Sequence, residues 1–234
     1  APGYGVWRSL DGGNTWNPQN MGMGDVTVNE IIMHPSNPNI LIATAKDGKI
    51  YRTTNGGNSW TSTNVNENCW DMAMHPTNPN IMYATGRNMY RSTDNGASWT
   101  QNAGYAPMGD NDRTALAVTP ANPDYVYALS GSDQNGLVGL YRSVNSGVSF
   151  TQRSNSPNIL GYALDGNDNA SQAAYDLVIA ADPNDANIIY IGGINVWKST
   201  NGGTSWTIKS HWVGSPQVPG VHADHHALEF KPNS

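Results

Sequence analysis

Ser9-Leu-Asp-Gly-Gly-Asn-Thr-Trp16 is the first of five copies of one octamer. The others are Thr53-Thr-Asn-Gly-Gly-Asn-Ser-Trp60, Ser92-Thr-Asp-Asn-Gly-Ala-Ser-Trp99, Ser143-Val-Asn-Ser-Gly-Val-Ser-Phe150 and Ser199-Thr-Asn-Gly-Gly-Thr-Ser-Trp206. The shared pattern is Ser/Thr-x-Asp/Asn-x-Gly-x-Ser/Thr-aromatic, with starts 44, 39, 51 and 56 residues apart. An aromatic–base pair precedes each copy: Trp7-Arg8, Tyr51-Arg52, Tyr90-Arg91, Tyr141-Arg142 and Trp197-Lys198. A short Asp or Asn side chain accepts bonds from nearby backbone N–H groups and so folds a tight turn. Gly supplies the positive φ of a compact hairpin, and the closing aromatic starts the returning strand. The octamer reads as a structural hairpin, not a catalytic motif.

Between the boxes lies a second repeated unit. It runs Ile31-Ile-Met-His-Pro-Ser-Asn-Pro-Asn-Ile-Leu-Ile-Ala-Thr44 and again Met72-Ala-Met-His-Pro-Thr-Asn-Pro-Asn-Ile-Met-Tyr-Ala-Thr85, with variants at Leu116 to Leu129 and Leu177 to Gly192. Each is two short apolar runs around a Pro/Asn turn, too short for helices and bounded by turn chemistry, hence two strands. One repeat is therefore strand, Pro/Asn turn, strand, variable loop, strand, box, strand. Four antiparallel strands per ~45 residues predict a β-propeller blade, with a solenoid of four-stranded units as the competitor.

The octamers resemble the Asp-box, or bacterial neuraminidase (BNR), repeat. It occurs in sialidases, xyloglucanase-type glycoside hydrolases, sortilin-type receptors and a photosystem assembly factor. The resemblance covers essentially the whole chain and implies an all-β propeller, but a shared fold does not choose among unrelated functions. The expected domain is residues 1–234, with blade parts 1–16, 17–60, 61–99, 100–150, 151–206 and 207–234. About five blades are visible. The last part holds an expected first strand, Ala227 to Phe230, entering a Pro/Asn turn at Lys231 to Ser234, so both ends fall mid-blade. The expectation is a segment of a larger propeller.

Composition agrees with frequent chain reversal. Among 234 residues there are 25 Gly, 14 Pro and 29 Asn, and only 13% are charged, about half the usual share for soluble domains. Eight Trp and eleven Tyr supply the apolar area that disordered chains lack. The net charge is −6, with twelve scattered Lys and Arg, which disfavours nucleic acid as a partner. No apolar run approaches the ~18–20 residues of a membrane-spanning helix. Cys69 is the single cysteine, so neither an internal disulfide nor a Cys-pair metal motif forms; it reads as a packed small residue.

In a four-stranded blade, loops 1–2 and 3–4 emerge at one end and loops 2–3 and 4–1 at the other. Here the first pair, the Pro/Asn turns and boxes, barely vary. The second pair varies widely, with 4–1 loops at Thr61–Cys69, Thr151–Tyr175 and Thr207–Val221. Variable loops on a rigid scaffold carry function, so the site is expected at that end, around the mouth of a central channel. Residues entering the first strands should ring it. The ligand-binding candidates are Glu30, Trp70, Asp112, Arg113, Tyr175 and Trp212, because sugar rings stack on aromatic faces while polar acceptors take hydroxyl protons.

Two channel-facing carboxylates could serve as a glycosidase pair, one acid and one base or nucleophile held about 5–9 Å apart; Asp71 and Asp176 are the candidates. Sialidase chemistry is disfavoured, because four of the seven Arg occupy the same pre-box position and the Phe/Tyr-Arg-Ile-Pro motif of that family is absent. Alternation along a strand would place His222, Asp224 and His226 on one face as a candidate transition-metal site. Asp165-Gly-Asn-Asp-Asn169 carries oxygen ligands suggestive of calcium. No cofactor is required by these motifs; calcium and a transition metal are the candidates. His34 and His75, before Pro in equivalent turns, read as parts of the repeat.

The reading is a non-catalytic binding or scaffold propeller of a secreted or cell-surface bacterial protein, taking glycan or protein at the channel mouth. The alternative is a polysaccharide-hydrolysing glycosidase. The chain also resembles propeller regions of large bacterial surface proteins, which implies a place in a larger surface assembly.

Overall fold

The computed structural model describes residues 4–109 and 111–231. Its regular structure is all strand. A two-stranded sheet, β1 (Trp7–Arg8) and β2 (Asn17–Pro18), comes first. Four four-stranded sheets follow in chain order. The second blade holds β3 (Val28–Met33), β4 (Leu41–Ala45), β5 (Ile50–Thr53) and β6 (Thr61–Ser62). The third holds β7 (Asp71–Met74), β8 (Met82–Thr85), β9 (Met89–Ser92) and β10 (Thr100–Gln101). The fourth holds β11 (Arg113–Val118), β12 (Val126–Ser132), β13 (Gly136–Ser143) and β14 (Thr151–Ser154). The fifth holds β15 (Val178–Ala181), β16 (Ile189–Gly192), β17 (Val196–Ser199) and β18 (Thr207–Ser210). Each is an antiparallel meander in which sequence neighbours pair.

The chain divides into two compact units, residues 1–74 with 78–101, and residues 75–77 with 102–234. In the first unit β3 packs beside β7; in the second, β11 packs beside β15. Within each unit, consecutive four-stranded blades thus meet at their first strands, as propeller blades do. Burial peaks at the second strands and falls outward from them. β4, β8 and β12 are almost wholly buried, whereas β6 and β10 are two exposed residues each. Short exposed outer strands offer little edge for unwanted pairing.

The boxes fold through one repeated hydrogen-bond set. Ser92 Oγ donates to Asp94 Oδ1 at 2.8 Å and accepts from the Gly96 N–H at 2.9 Å. Asp94 Oδ1 also takes the Ser98 N–H at 2.9 Å, and Oδ2 takes the Ser98 hydroxyl at 2.5 Å. Thr53/Asn55/Ser59, Ser143/Asn145/Ser149 and Ser199/Asn201/Ser205 repeat it, with the Asn amide donating to the last hydroxyl. The box glycine is left-handed every time, from Gly96 at φ 73° to Gly13 at 93°. The residue before it is left-handed too, whether Gly56 (70°), Asn95 (60°) or Ser146 (52°), giving the paired positive φ of a tight hairpin.

Boxes also join blades. Arg8 Nη1 donates to Gly56 O at 2.5 Å, Arg52 Nε to Asn95 O at 2.9 Å and Arg153 Nε to Gly202 O at 2.9 Å, each reaching the next blade's box. Arg142 lies over the Tyr125 ring, 4.4 Å from its centre. Trp60, closing its box, is buried and donates its indole N–H to Gln19 O of the preceding sheet. Apolar cores fill the spaces between blades: Ile42, Ile50, Met72, Met82 and Trp99 in the first unit, and Leu129, Leu140, Ile159, Leu177 and Ile189 in the second. In the Pro/Asn turns His34 and His75 accept from the N–H two residues on, the place taken by Thr119 and Asp182 in later blades.

One expected strand is corrected. Residues 221–231 form no ladder; instead Leu228 packs toward Gly192, and Phe230 meets the Tyr190 ring edge-on at 5.8 Å. The turn expected after it falls outside the described residues beyond Lys231.

Candidate functional site

In the first unit, the loop end of the second and third blades gathers Asn29, Glu30, Lys46, Glu67 and Trp70. Asn29 Nδ2 donates to Asn68 Oδ1 (2.9 Å) and Cys69 O (2.8 Å). The Met72 N–H donates to Glu30 Oε2 at 2.5 Å, so this carboxylate ties one blade's first strand to the next. Lys46 Nζ lies 5.6 Å from the centre of the half-buried Trp70 ring, within cation–π range. Glu67 accepts from the Asn88 N–H and the Tyr90 hydroxyl. Burial, and then Glu67, push the Tyr90 phenol and the Cys69 thiol each up to about 12. Cys69 is buried and neutral, the packed residue its isolation suggested. Asp71 opens β7, half-buried and in register with Thr85.

The second unit holds the richer arrangement, from three loops. The first is residues 155–177, whose knot is Asn158: its Oδ1 takes the Leu137 N–H (2.9 Å), and its Nδ2 donates to Asp168 O and Ala170 O. The second is the β16–β17 connection, where buried Asn195 donates to Gly161 O (2.9 Å) and accepts the Trp212 N–H (2.8 Å). The third follows β18; buried His211 sets its Nε2 2.8 Å from Tyr162 O. Trp212 meets Tyr162 edge-on at 5.7 Å, and both rings remain more than a third exposed.

At the head of β15, Tyr175 is 60% exposed and stands edge-on to His226 at 4.8 Å. Arg113 Nη1 donates to Tyr175 O at 3.0 Å, linking β11 to this corner. Asp176, by contrast, is 2% exposed, and among the described residues no hydrogen bond of ordinary geometry reaches its carboxyl oxygens, though the Asp176 and Asp224 N–H groups lie near them. Burial and then the nearby Asp224 carboxylate push it up to about 7, with Arg113 pulling the other way. The chain from Asp224 covers this corner: Asp224 is left-handed at φ 72°, and both the His225 N–H and its Nδ1 address Gly193 O, at 3.1 and 2.6 Å. Asp112 Oδ2 takes the Asp133 N–H at 2.9 Å and pins the β12–β13 tip.

Of the candidates, Arg113, Tyr175 and Asp176 come together in the second unit, with Trp212 on the adjoining loop and Asp112 bound to the hairpin tip. Glu30, Trp70 and Asp71 stand in the first unit. The metal site is corrected. Residues 221–231 are not a strand, so alternation does not align them: His222 Nδ1 lies 2.9 Å from Ala223 O, and His226 turns to Tyr175. Among the described residues no three His, Cys, Asp or Glu side chains group as metal ligands. At the calcium candidate, Asp168 Oδ2 takes the Tyr162 and Ala163 N–H groups, and Asp165 holds Asn167, so the loop's own amides address these carboxylates. Sequence reading missed Asn158 and Asn195, which organise the loops; His211 was expected beside Trp212 on a loop of the channel mouth, and it anchors that loop to Tyr162 O.

Four-stranded meanders whose third and fourth strands are joined by Asp-box hairpins, meeting at their first strands within each unit, define a β-propeller of the Asp-box repeat type. Comparison with known proteins agrees. The Sortilin-Vps10 family model (sortilin, neurotensin receptor 3) matches residues 4–101. A xyloglucanase of Paenibacillus sp is 26% identical over 151 residues, 64% of this chain and 15% of the relative. The fold is similar to that of a GH74 xyloglucanase from Xanthomonas campestris (TM-score 0.65, 17% identity, 94% of this chain and 35% of that one). It is also similar to YCF48 from Cyanidioschyzon merolae (TM-score 0.52, 18% identity, 79% and 56%). The chain thus spans about a seventh of the curated relative's length. Among the described residues, no helix is long and apolar enough to cross a membrane.

Proposed function

We propose that this chain is a binding propeller of a secreted or cell-surface protein that takes a glycan on the loop end of its second unit. The observation that carries this reading is the pair of exposed ring clusters, Tyr175 with His226 and Trp212 with Tyr162. Each is held edge-on by its partner and mounted on loops pinned by Asn158, Asn195 and Arg113. Preset aromatic faces beside polar groups suit a pyranose ring, whose apolar face stacks while its hydroxyls bond. The similarity to a xyloglucanase supports polysaccharide as the ligand class.

A second reading rests on Asp176. A buried carboxyl held near neutrality is in the state a general acid needs, and polysaccharide hydrolysis would pair it with a second carboxyl. One experiment separates the two. The protein is incubated with insoluble plant, microbial and host polysaccharides, and both retained protein and released reducing ends are measured. Retention without release supports the binding module. Release that Asp176→Asn abolishes supports the hydrolase. Neither outcome sinks both readings and leaves a protein ligand.

A further inference from the structure

Asn-Gly is the dipeptide most prone to spontaneous deamidation, because no Cβ shields the glycine nitrogen. The chain has four: Asn55-Gly56, Asn95-Gly96, Asn135-Gly136 and Asn201-Gly202. Three are in boxes, where the glycine nitrogen is engaged every time and the side chains of Asn55 and Asn201 are held as well. Asn55 Oδ1 accepts the Thr53 hydroxyl (2.8 Å) and the Ser59 N–H (2.9 Å), and its Nδ2 donates to Ser59 Oγ. Asn201 is gripped likewise by Ser199 and Ser205. The would-be nucleophiles are engaged as well: Gly56 N–H with Asn39 O, Gly202 N–H with Asn187 O (both 2.9 Å), and Gly96 N–H with Ser92 Oγ.

Asn135 is different. It is exposed at the tip of the β12–β13 hairpin, outside both strands, and its side chain makes no hydrogen bond among the described residues. Its neighbours are tied down, Asp133 to Asp112 and to the Ala174 N–H, and Ser132 to the Ser171 hydroxyl. The following glycine is left-handed at φ 70°. We propose that Asn135 is a modification site, converting spontaneously to aspartate and isoaspartate in the folded protein while the box asparagines are protected. The Gly136 nitrogen attacks Asn135 Cγ; the new N–C bond forms as the Cγ–Nδ2 bond breaks, and ammonia leaves with the glycine's proton. Water then opens the succinimide at either carbonyl. The product adds a carboxylate to a loop tip already carrying Asp133, and the isoaspartyl form also lengthens the backbone there.

The test is to age the full chain in mildly alkaline buffer, digest it, and follow the amide-to-acid mass gain and isoaspartate methyl labelling of each Asn-Gly peptide. In the folded protein the Asn135 peptide should convert roughly tenfold or more faster than the three box peptides. That is the factor that about 1.4 kcal/mol of box hydrogen bonding imposes on a rate. In denaturant the four rates should converge, and Asn135→Gln should remove the early product. Equal rates in the folded protein, a box peptide leading, or no conversion at Asn135 while the denatured chain converts would each overturn the proposal.

Discussion

Gly203 and Gly57 occupy the same box position with nearly the same backbone, φ 84° and 88°, yet alanine should affect them very differently. Both substitutions place a Cβ on a left-handed residue, which costs roughly 1–2 kcal/mol. At Gly57 little else follows, since the new carbon would lie 3.7 Å from Gln19 Cβ and the Trp60 ring, ordinary contact distances. At Gly203 it would lie 2.0 Å from Leu140 Cδ2, on a wholly buried side chain, and 3.4 Å from Ile189. Overpacking a filled core adds roughly 1–3 kcal/mol. Gly57→Ala should therefore destabilise by ~1–2 kcal/mol and Gly203→Ala by ~2–5 kcal/mol. Hydrogen exchange under increasing urea, read on β5 and on β17, lets each unit report its own variant. A double-mutant cycle with Leu140→Ala should recover the excess as coupling. If Gly203→Ala costs no more than Gly57→Ala, or the cycle shows no coupling, the box glycine is not an inter-blade contact and the reasoning fails.

Tyr175→Ala and Trp212→Ala should each weaken glycan retention about tenfold or more while stability stays within ~0.5 kcal/mol, since the rings are exposed; pull-down and thermal melts check both. Glu30→Ala should destabilise the first unit by about 1–3 kcal/mol by leaving the Met72 N–H without its acceptor, a loss that urea titration would register. Asp176 titrates higher folded, about 7, than its ordinary 3.8, so the folded state binds the extra proton in that window. Its stabilisation is complete below 3.8 and lost as pH rises through 7; Asp176→Asn should flatten that slope and stabilise the alkaline form by on the order of 2 kcal/mol in pH-dependent melts.

The blades were legible because the same hydrogen-bond set had to be encoded five times. A turn that needs a hydroxyl, a short acceptor, a glycine and a second hydroxyl writes those four residues at fixed spacing, and internal comparison exposes them. One constraint stayed hidden. The residue before the box glycine is also left-handed, but Gly56, Asn95 and Ser146 all occupy it, so the position looked unconstrained. Asparagine tolerates that conformation through its short polar side chain, and serine holds it here while its hydroxyl bonds Asp124 Oδ1 at 2.5 Å. The strand expected at Ala227 to Phe230 shows the opposite limit. Its apolar pattern is real, but alternation specifies a face and not a ladder partner, and Leu228 and Phe230 pack half-buried on the fifth blade without one.

The loop end was legible as a location and much less as an arrangement, for a related reason. Each long loop occurs once, so no second copy marks which of its residues are structural. Asn158 and Asn195, which hold those loops, read like any turn asparagine until their partners 21 and 17 residues away are known. The two ends differ in what their polar groups have left to offer. At the box end the acceptors are filled by the turn itself: Asp94 takes three bonds from Ser92 and Ser98, and Asp11 takes the Thr15 hydroxyl and N–H, which hold it down to about 2. A ligand arriving there would have to displace bonds that make the hairpin. At the loop end of the second unit Tyr175 and Trp212 present exposed ring surface. Under the proposed reading the glycan takes what folding has left unused, the exposed ring surface on loops where the repeat stops constraining the sequence.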